Sequence, residues 1–178
     1  GKALAEAVPA AAAVFAEVIS LLHEGGGKAV SFGAVGQAVG LAPSTLVQRF
    51  GSCEGMQRSA ILAAWEGLEA ATDLALAAAP MNAKGAHAIL KALGQPTEDQ
   101  VCPWDHLLLA SDFRDPDVRG RAKAWRRKLE AALARRLGGA DAETAAALLF
   151  AAWQGSLLWQ GAGGKGFKLK DALRAVSV

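Results

Sequence analysis

Apolar residues recur along most of this chain at the three- and four-residue spacing of a helix buried on one side, and almost nowhere at the two-residue spacing of a strand. Glycine, proline and small polar residues interrupt the pattern and cut the chain into segments. A first helix is predicted over 3–24, closing at Gly25-Gly26-Gly27. Ser31 is placed to cap a short helix over 32–39 that stops at Gly40. Pro43 suits the first position of another short helix, ending at Phe50. Gly51-Ser52 separates this from a long helix, with Ser52 as its cap and Pro80 as its stop.

The second half reads in the same way. Helices are predicted over 84–93 and 103–111, with a polar turn at 94–99 between them and Pro103 near the start of the second. Asp115-Pro116 opens a long helix that Gly138-Gly139 closes. Asp141 is expected to cap a helix over 141–160, and Gly-Ala-Gly-Gly at 161–164 connects it to a short terminal helix with Asp171 early in it. Nine helices and no strand make an all-α protein.

Composition supports this. Alanine fills 41 of 178 positions and tyrosine is absent. Alanine loses no side-chain entropy in a helix, whereas strands favour branched and aromatic residues. A hydrophobic content of 52% excludes a disordered chain. Glu6, Pro9 and Glu17 interrupt the apolar start, so it reads as an amphipathic helix rather than a secretory leader. No run of apolar residues is long enough to span a membrane. Cys53 and Cys102 are too few for a metal cluster or a disulfide framework, and without a leader they read as reduced thiols in a cytoplasm.

The segment 31–50, SFGAVGQAVGLAPSTLVQRF, carries the chemistry. Its two short helices are joined by a tight turn at Gly40-Leu41-Ala42. Val35 and Val39 on one, with Leu41, Leu46 and Phe50 on the other, are spaced to hold the pair against the first helix. A small residue allows close approach, glycine makes the turn, and a polar-faced second helix stays outside: the grammar of a helix-turn-helix. Its outward residues would be Ser44, Thr45, Gln48 and Arg49. Their hydroxyl, amide and guanidinium groups suit phosphate oxygens and base edges.

The block VSFGAVGQAVGLAPSTLVQRFGSCEGM, with the long helix after it, resembles the DNA-binding domain of the tetracycline-repressor (TetR) family of bacterial regulators. The likeness covers about Val14 to Leu68. Beyond that only the helix pattern is similar, including the turn Asp112-Phe113-Arg114-Asp115-Pro116-Asp117 and the step Gln154-Gly155. It implies a DNA-binding domain over 1–51 and a ligand-binding and dimerisation domain over 52–178. A homodimer would then bind a palindromic operator through Ser31, Pro43, Ser44, Thr45, Gln48 and Arg49.

The chain departs from the family pattern in three places. Val47 replaces a tyrosine that commonly touches phosphate, Cys53 replaces a lysine that meets the backbone, and Ala42 replaces a serine cap worth about 1 kcal/mol. Residues 1–60 hold Lys2, Lys28, Arg49 and Arg58 against Glu6, Glu17, Glu24 and Glu54, a net charge of zero. Counterion release by Lys and Arg supplies most DNA affinity, so a neutral head predicts weak binding with shallow salt dependence. A basic arm ahead of Gly1 would repair part of this.

The helix over 141–160 is apolar nearly all round. Leu149, Trp153, Ser156 and Leu157 lie along one side, and Leu148, Ala152, Gly155 and Trp159 along another. A partner subunit would cover one side, with Leu149, Trp153, Ser156, Leu157 and Leu173 as the expected dimer interface; the central helix of a monomer is the alternative. Candidates for a pocket holding a small apolar or aromatic effector are Trp65, Leu68, Thr72, Trp104, His106, Leu109, Phe113, Trp125 and Trp153. For each of them taken singly, ordinary core packing is the favoured reading. His106 beside Asp105 reads either as a polar anchor or as a partly exposed histidine with one hydrogen bond.

Eight Lys or Arg between Arg119 and Arg136 face a single Glu130, which would suit nucleic acid or an anionic surface. Val118, Ala122, Trp125, Leu129 and Leu133 form an inward stripe on the same helix, so the charges read mostly as its solvated side. Catalysis finds no support: His23, His87 and His106 are far apart in sequence, and the chain has no nucleophile elbow, zinc spacing or dinucleotide fingerprint. The stretch GAGGKGFKLK lacks the spacing of a phosphate loop. The sequence therefore points to a homodimeric, ligand-responsive repressor without cofactor, membrane or enzymatic activity. The second reading is a dimeric small-molecule-binding protein that has kept the fold and lost the operator.

Overall fold

The computed structural model describes residues 2–95, 104–164 and 166–176, the side chains of 2–10 and 105 excepted. Among them are nine α-helices and no strand: α1 (Lys2–Gly25), α2 (Phe32–Val39), α3 (Pro43–Phe50), α4 (Cys53–Ala78), α5 (Ala83–Gly94), α6 (Trp104–Ala110), α7 (Pro116–Leu137), α8 (Ala142–Gln160) and α9 (Leu169–Val176). A 3-10 turn, Gly27–Ala29, joins α1 to α2 and has no counterpart in the apolar pattern. Cys102, Pro103 and the polar turn from 96 onward lie outside the described residues. No described helix is long and apolar enough to cross a membrane.

Caps set most of the helix starts. Ser31 Oγ accepts from the Ala34 amide at 3.0 Å, and Ser52 Oγ from that of Gly55 at 3.0 Å. Asp115 Oδ1 accepts from the amides of Asp117 and Val118 at 2.9 and 3.3 Å, satisfying donors that the first turn of α7 leaves over. Asp141 does not act in this way. Its backbone sits at φ −103°, ψ 22°, outside the extended conformation of a capping residue, and its side chain takes no capping hydrogen bond.

Packing divides the chain into two units, Gly1–Gly67 with Thr97–Val118, and Leu68–Pro96 with Arg119–Val178. Residues of α4 and of α7 belong to both units, α4 dividing after Gly67 and α7 after Val118. In the first unit α1 packs against both α2 and α6. Val14, Val18 and Ile19 of α1, Val35 of α2, Leu46 of α3, Met56 and Ile61 of α4 and Leu107 of α6 are buried. Trp65 donates its indole N–H to Ser111 Oγ at 2.9 Å, and that hydroxyl donates to the Leu107 carbonyl at 2.7 Å.

Arg58 ties α4 to the start of α7. Its Nε donates to Asp115 Oδ2 at 2.5 Å and its Nη2 pairs with Asp117. The hydrogen bond from Arg58, then the amides of Asp117 and Val118, hold the Asp115 carboxyl below its ordinary pKa against the opposing effect of desolvation. A carboxylate whose pKa is lowered by folding contributes stability that is present above its unfolded pKa and lost as pH falls through the folded one. The melting temperature should therefore fall on acidification below the ordinary aspartate range. In Arg58→Leu that fall should be smaller, which paired thermal melts across pH would show.

The second unit repeats the tryptophan relay. Trp125 donates to Thr72 Oγ1 at 2.9 Å, and Thr72 donates to the Leu68 carbonyl at 2.7 Å. Around it Ile89, Leu90, Leu129, Leu133, Leu149, Phe150 and Trp153 form the core. Most of the basic residues of α7 do lie outside, where Arg126 pairs with Glu130 at 2.9 Å and Lys128 with Asp73. Arg121 is half-buried and Arg136 is buried. The latter is 6% exposed, and its guanidinium donates to the carbonyls of Ala132, Leu76, Ala79 and Pro80 at 3.0, 2.9, 3.4 and 3.2 Å.

Candidate nucleic-acid interface

The outward helix α3 is positioned by α2 and the turn between them. Gly40 adopts φ 73°, a left-handed conformation in which a side chain is strained. There its amide and that of Leu41, the latter at 2.9 Å, both donate to the Gly36 carbonyl and close α2. Gly36 itself is buried, and a Cβ at that position would run into the carbonyl oxygen of Leu41. The absence of a side chain at Gly36 is thus what lets the chain fold back so tightly.

On its inner side α3 buries Leu46 completely, and Phe50 meets Phe15 of α1 with ring centroids 5.9 Å apart. The opposite side carries Pro43, Ser44, Thr45, Gln48 and Arg49, all exposed, and Ser31 at the start of α2 is exposed as well. Ser31 already spends an acceptor on its cap, which leaves its O–H as the group able to donate outward. Ala42 has no capping side chain, and its carbonyl accepts from the amides of Thr45 and Leu46. Val47 is 44% exposed, an apolar surface beside the polar one. Arg58 is engaged by two carboxylates, which further reduces the positive charge that this unit offers to a polyanion.

The pocket candidates include residues of both units. Trp65, Trp104, His106, Leu109 and Phe113 belong to the first unit, and Leu68, Thr72, Trp125 and Trp153 to the second. Trp65, Leu68, Thr72, Trp104, Trp125 and Trp153 are buried, and two of the indoles spend their N–H on the relays described above. Leu109 and Phe113 are exposed.

His106, far from His23 in sequence, stacks on it, with centroids 3.5 Å apart and planes 30° from parallel. With Gln57 of α4 the pair borders a half-open cleft of about 390 Å³ that Leu109 also lines. No pattern of local spacing links 23, 57 and 106, so sequence reasoning missed this grouping. Among the described residues no group of three or more His, Cys, Asp or Glu is placed to hold a metal ion.

The two sides of α8 differ. Leu149 and Trp153 are buried in the core of their own chain, and Ser156 and Leu157 are half-buried, as is Leu173 of α9. Leu148 and Trp159, on the other side with Ala152 and Gly155, are 58% and 72% exposed.

Neither a family model nor a curated protein sequence matches the chain. Solved structures do. A TetR-family transcriptional regulator, PfmR from Thermus thermophilus, is 22% identical with a TM-score of 0.60, over 92% of this chain and 94% of that one. A transcriptional regulator from Rhodococcus sp. Rha1 is 22% identical with a TM-score of 0.66, over 93% of this chain and 92% of that one.

Proposed function

We propose that this chain, whose fold is that of the TetR-family transcriptional regulators, is a ligand-responsive repressor that binds a palindromic operator as a homodimer. The observation that carries the reading is the polar side of α3. Every residue expected to touch DNA is exposed, while Leu46 and Phe50 of the same helix face inward, Phe50 against Phe15 of α1. An eight-residue helix so held fits a major groove, where Gln48 can pair with adenine, Arg49 can reach guanine or phosphate, and Ser44 and Thr45 can donate to phosphate.

Leu148, Ala152, Gly155 and Trp159 of α8 form the side offered to the second copy. Leu149 and Trp153 are already used within the chain, so the seam runs along the neighbouring side of the helix, where Leu148 and Trp159 are exposed. In a two-fold dimer the two copies of α3 would each read one half-site of a palindrome.

Binding-site selection from a random duplex library, followed by titration at several salt concentrations, tests the reading. Lys28 and Arg49 of two protomers displace few counterions, so the log–log salt slope should be shallow, about −4. Gln48→Ala and Arg49→Ala should each weaken the selected site by roughly tenfold or more. A selection that yields no palindrome, or variants that bind as the parent does, would overturn it. The neutral head supports a second reading, a dimeric small-molecule-binding protein of the same fold without an operator, and that selection separates the two.

A further inference from the structure

The cleft beside the stacked histidines lies wholly within the first unit, between the end of α1, the start of α4 and α6. Its volume, about 390 Å³, is within the range of small-molecule sites. Ile19 and Leu22 supply apolar wall, and Leu109, 71% exposed, is an apolar surface that an occupant would remove from water. Three polar side chains border it, the imidazoles of His23 and His106 and the carboxamide of Gln57, and among the described side chains, which do not include that of Asp105, no carboxylate, ammonium or guanidinium does.

These features select a chemistry. Among these described side chains an ion would lose hydration without a fixed opposite charge to replace it, which favours a neutral occupant. Two rings already stacked 3.5 Å apart offer a flat π surface to a third. A carboxamide presents an acceptor and a donor side by side, which matches a ring carrying adjacent N–H and C=O groups.

We infer that this cleft is a binding site for a small, neutral, planar heteroaromatic molecule with a lactam-like edge, and that such a molecule is the effector. The effector role rests on the regulator reading; the site does not. One wall of the cleft is α1, the helix on which α2 packs, so an occupant bears on the support of the reading pair. A ligand that favours one arrangement of that support shifts DNA affinity by its differential affinity for the two.

The test uses the full chain and quinolin-2-one as the probe, followed by NMR of the histidine rings. His23 and His106 should shift saturably, while His87 of α5 stays in place. Ala110→Trp, which fills the cleft, should weaken binding about tenfold or more. Gln57→Leu, which keeps the volume and loses the carboxamide, should weaken it roughly fivefold and serves if the bulkier variant does not fold.

Quinoline, which lacks the donor, should bind less tightly, and salicylate, an anion, should leave the rings unshifted. Unsaturable shifts, equal shifts at His87, tighter binding of salicylate, or unchanged binding in both variants would overturn the site. In a second arm, saturating quinolin-2-one should change the Kd for the selected duplex in the parent and not in Ala110→Trp. Binding that leaves the Kd unchanged overturns the effector role alone. A protein that binds the probe but no duplex refutes the regulator reading with the site intact.

Discussion

Gly36→Ala is expected to unfold the helix pair that presents α3, although it adds a single methyl group. That methyl would be placed against the backbone carbonyl of Leu41, and a carbonyl held by the α2–α3 turn cannot swing away as a flexible side chain would. Forcing the turn open costs about 3 kcal/mol by comparison with other overpacked sites. It also moves Pro43 and everything after it in α3. Affinity for the selected duplex should fall by about two orders of magnitude.

Gly33→Ala on the same helix is the matched control. Gly33 is exposed, and the nearest atom to its added Cβ would be Ser31 Oγ at 3.9 Å, an ordinary contact. Alanine there should stabilise α2 by up to about 1 kcal/mol through its helix propensity. Circular dichroism melts and a DNA titration on both variants check the pair. Equal behaviour of the two would show that Gly36 is not the point of close approach.

Arg136→Met should produce the largest loss of stability in the second unit. The Leu76 carbonyl is among the last of α4 and has no partner within its own helix, and those of Ala79 and Pro80 lie just beyond the helix end. A buried guanidinium is the shared donor for all three and for Ala132 besides. Burial, with a smaller contribution from the charge of Arg135, lowers the pKa of Arg136, yet arginine in a protein keeps its proton.

Methionine fills much of the space and supplies no donor, which leaves buried carbonyls unmatched. The cost is about 3 kcal/mol, or roughly 10 °C in melting temperature for a chain of this size. Arg136→Lys should recover only part of it, since one ammonium cannot reach four oxygens spread around a planar fork. Scanning calorimetry on the three proteins decides this, and a methionine variant that melts with the parent would refute the assignment.

Arg136 also shows where sequence reading ends. It closes a run of basic residues, and a run of like charges on a helix is usually solvated. The inward stripe through Val118, Trp125, Leu129 and Leu133 was legible because its partners follow at helical spacing on one element. That Arg136 turns inward depends on where α4 stops, which its own neighbours in sequence do not encode. The histidine stack is the same kind of fact: 23 and 106 meet because α1 and α6 pack together.

The reading pair, by contrast, is almost wholly local. Ser31, Gly36, Gly40 and Pro43 specify two helices and the turn by capping, close approach and backbone geometry, and the helices fall at 32–39 and 43–50 as the sequence indicates. Asp141 is the instructive miss among the caps. An aspartate before a helix offers a suitable acceptor, but the bond forms only if the backbone of that residue is extended, and here it is not. The tryptophans divided for a related reason. Spacing shows that Trp65 and Trp125 point inward; it does not show that Ser111 and Thr72 wait there to take their N–H groups.

The first packing unit draws on two separate stretches of the chain, Gly1–Gly67 and Thr97–Val118. During synthesis, Trp65 leaves the ribosome long before Ser111 does, and Arg58 long before Asp115. Until those later residues emerge, the nascent head has an indole and a guanidinium without their final partners and an incomplete core. Its core is complete only once the stretch that follows Leu68–Pro96 in the chain has emerged, and a fragment ending at Gly67 would lack it.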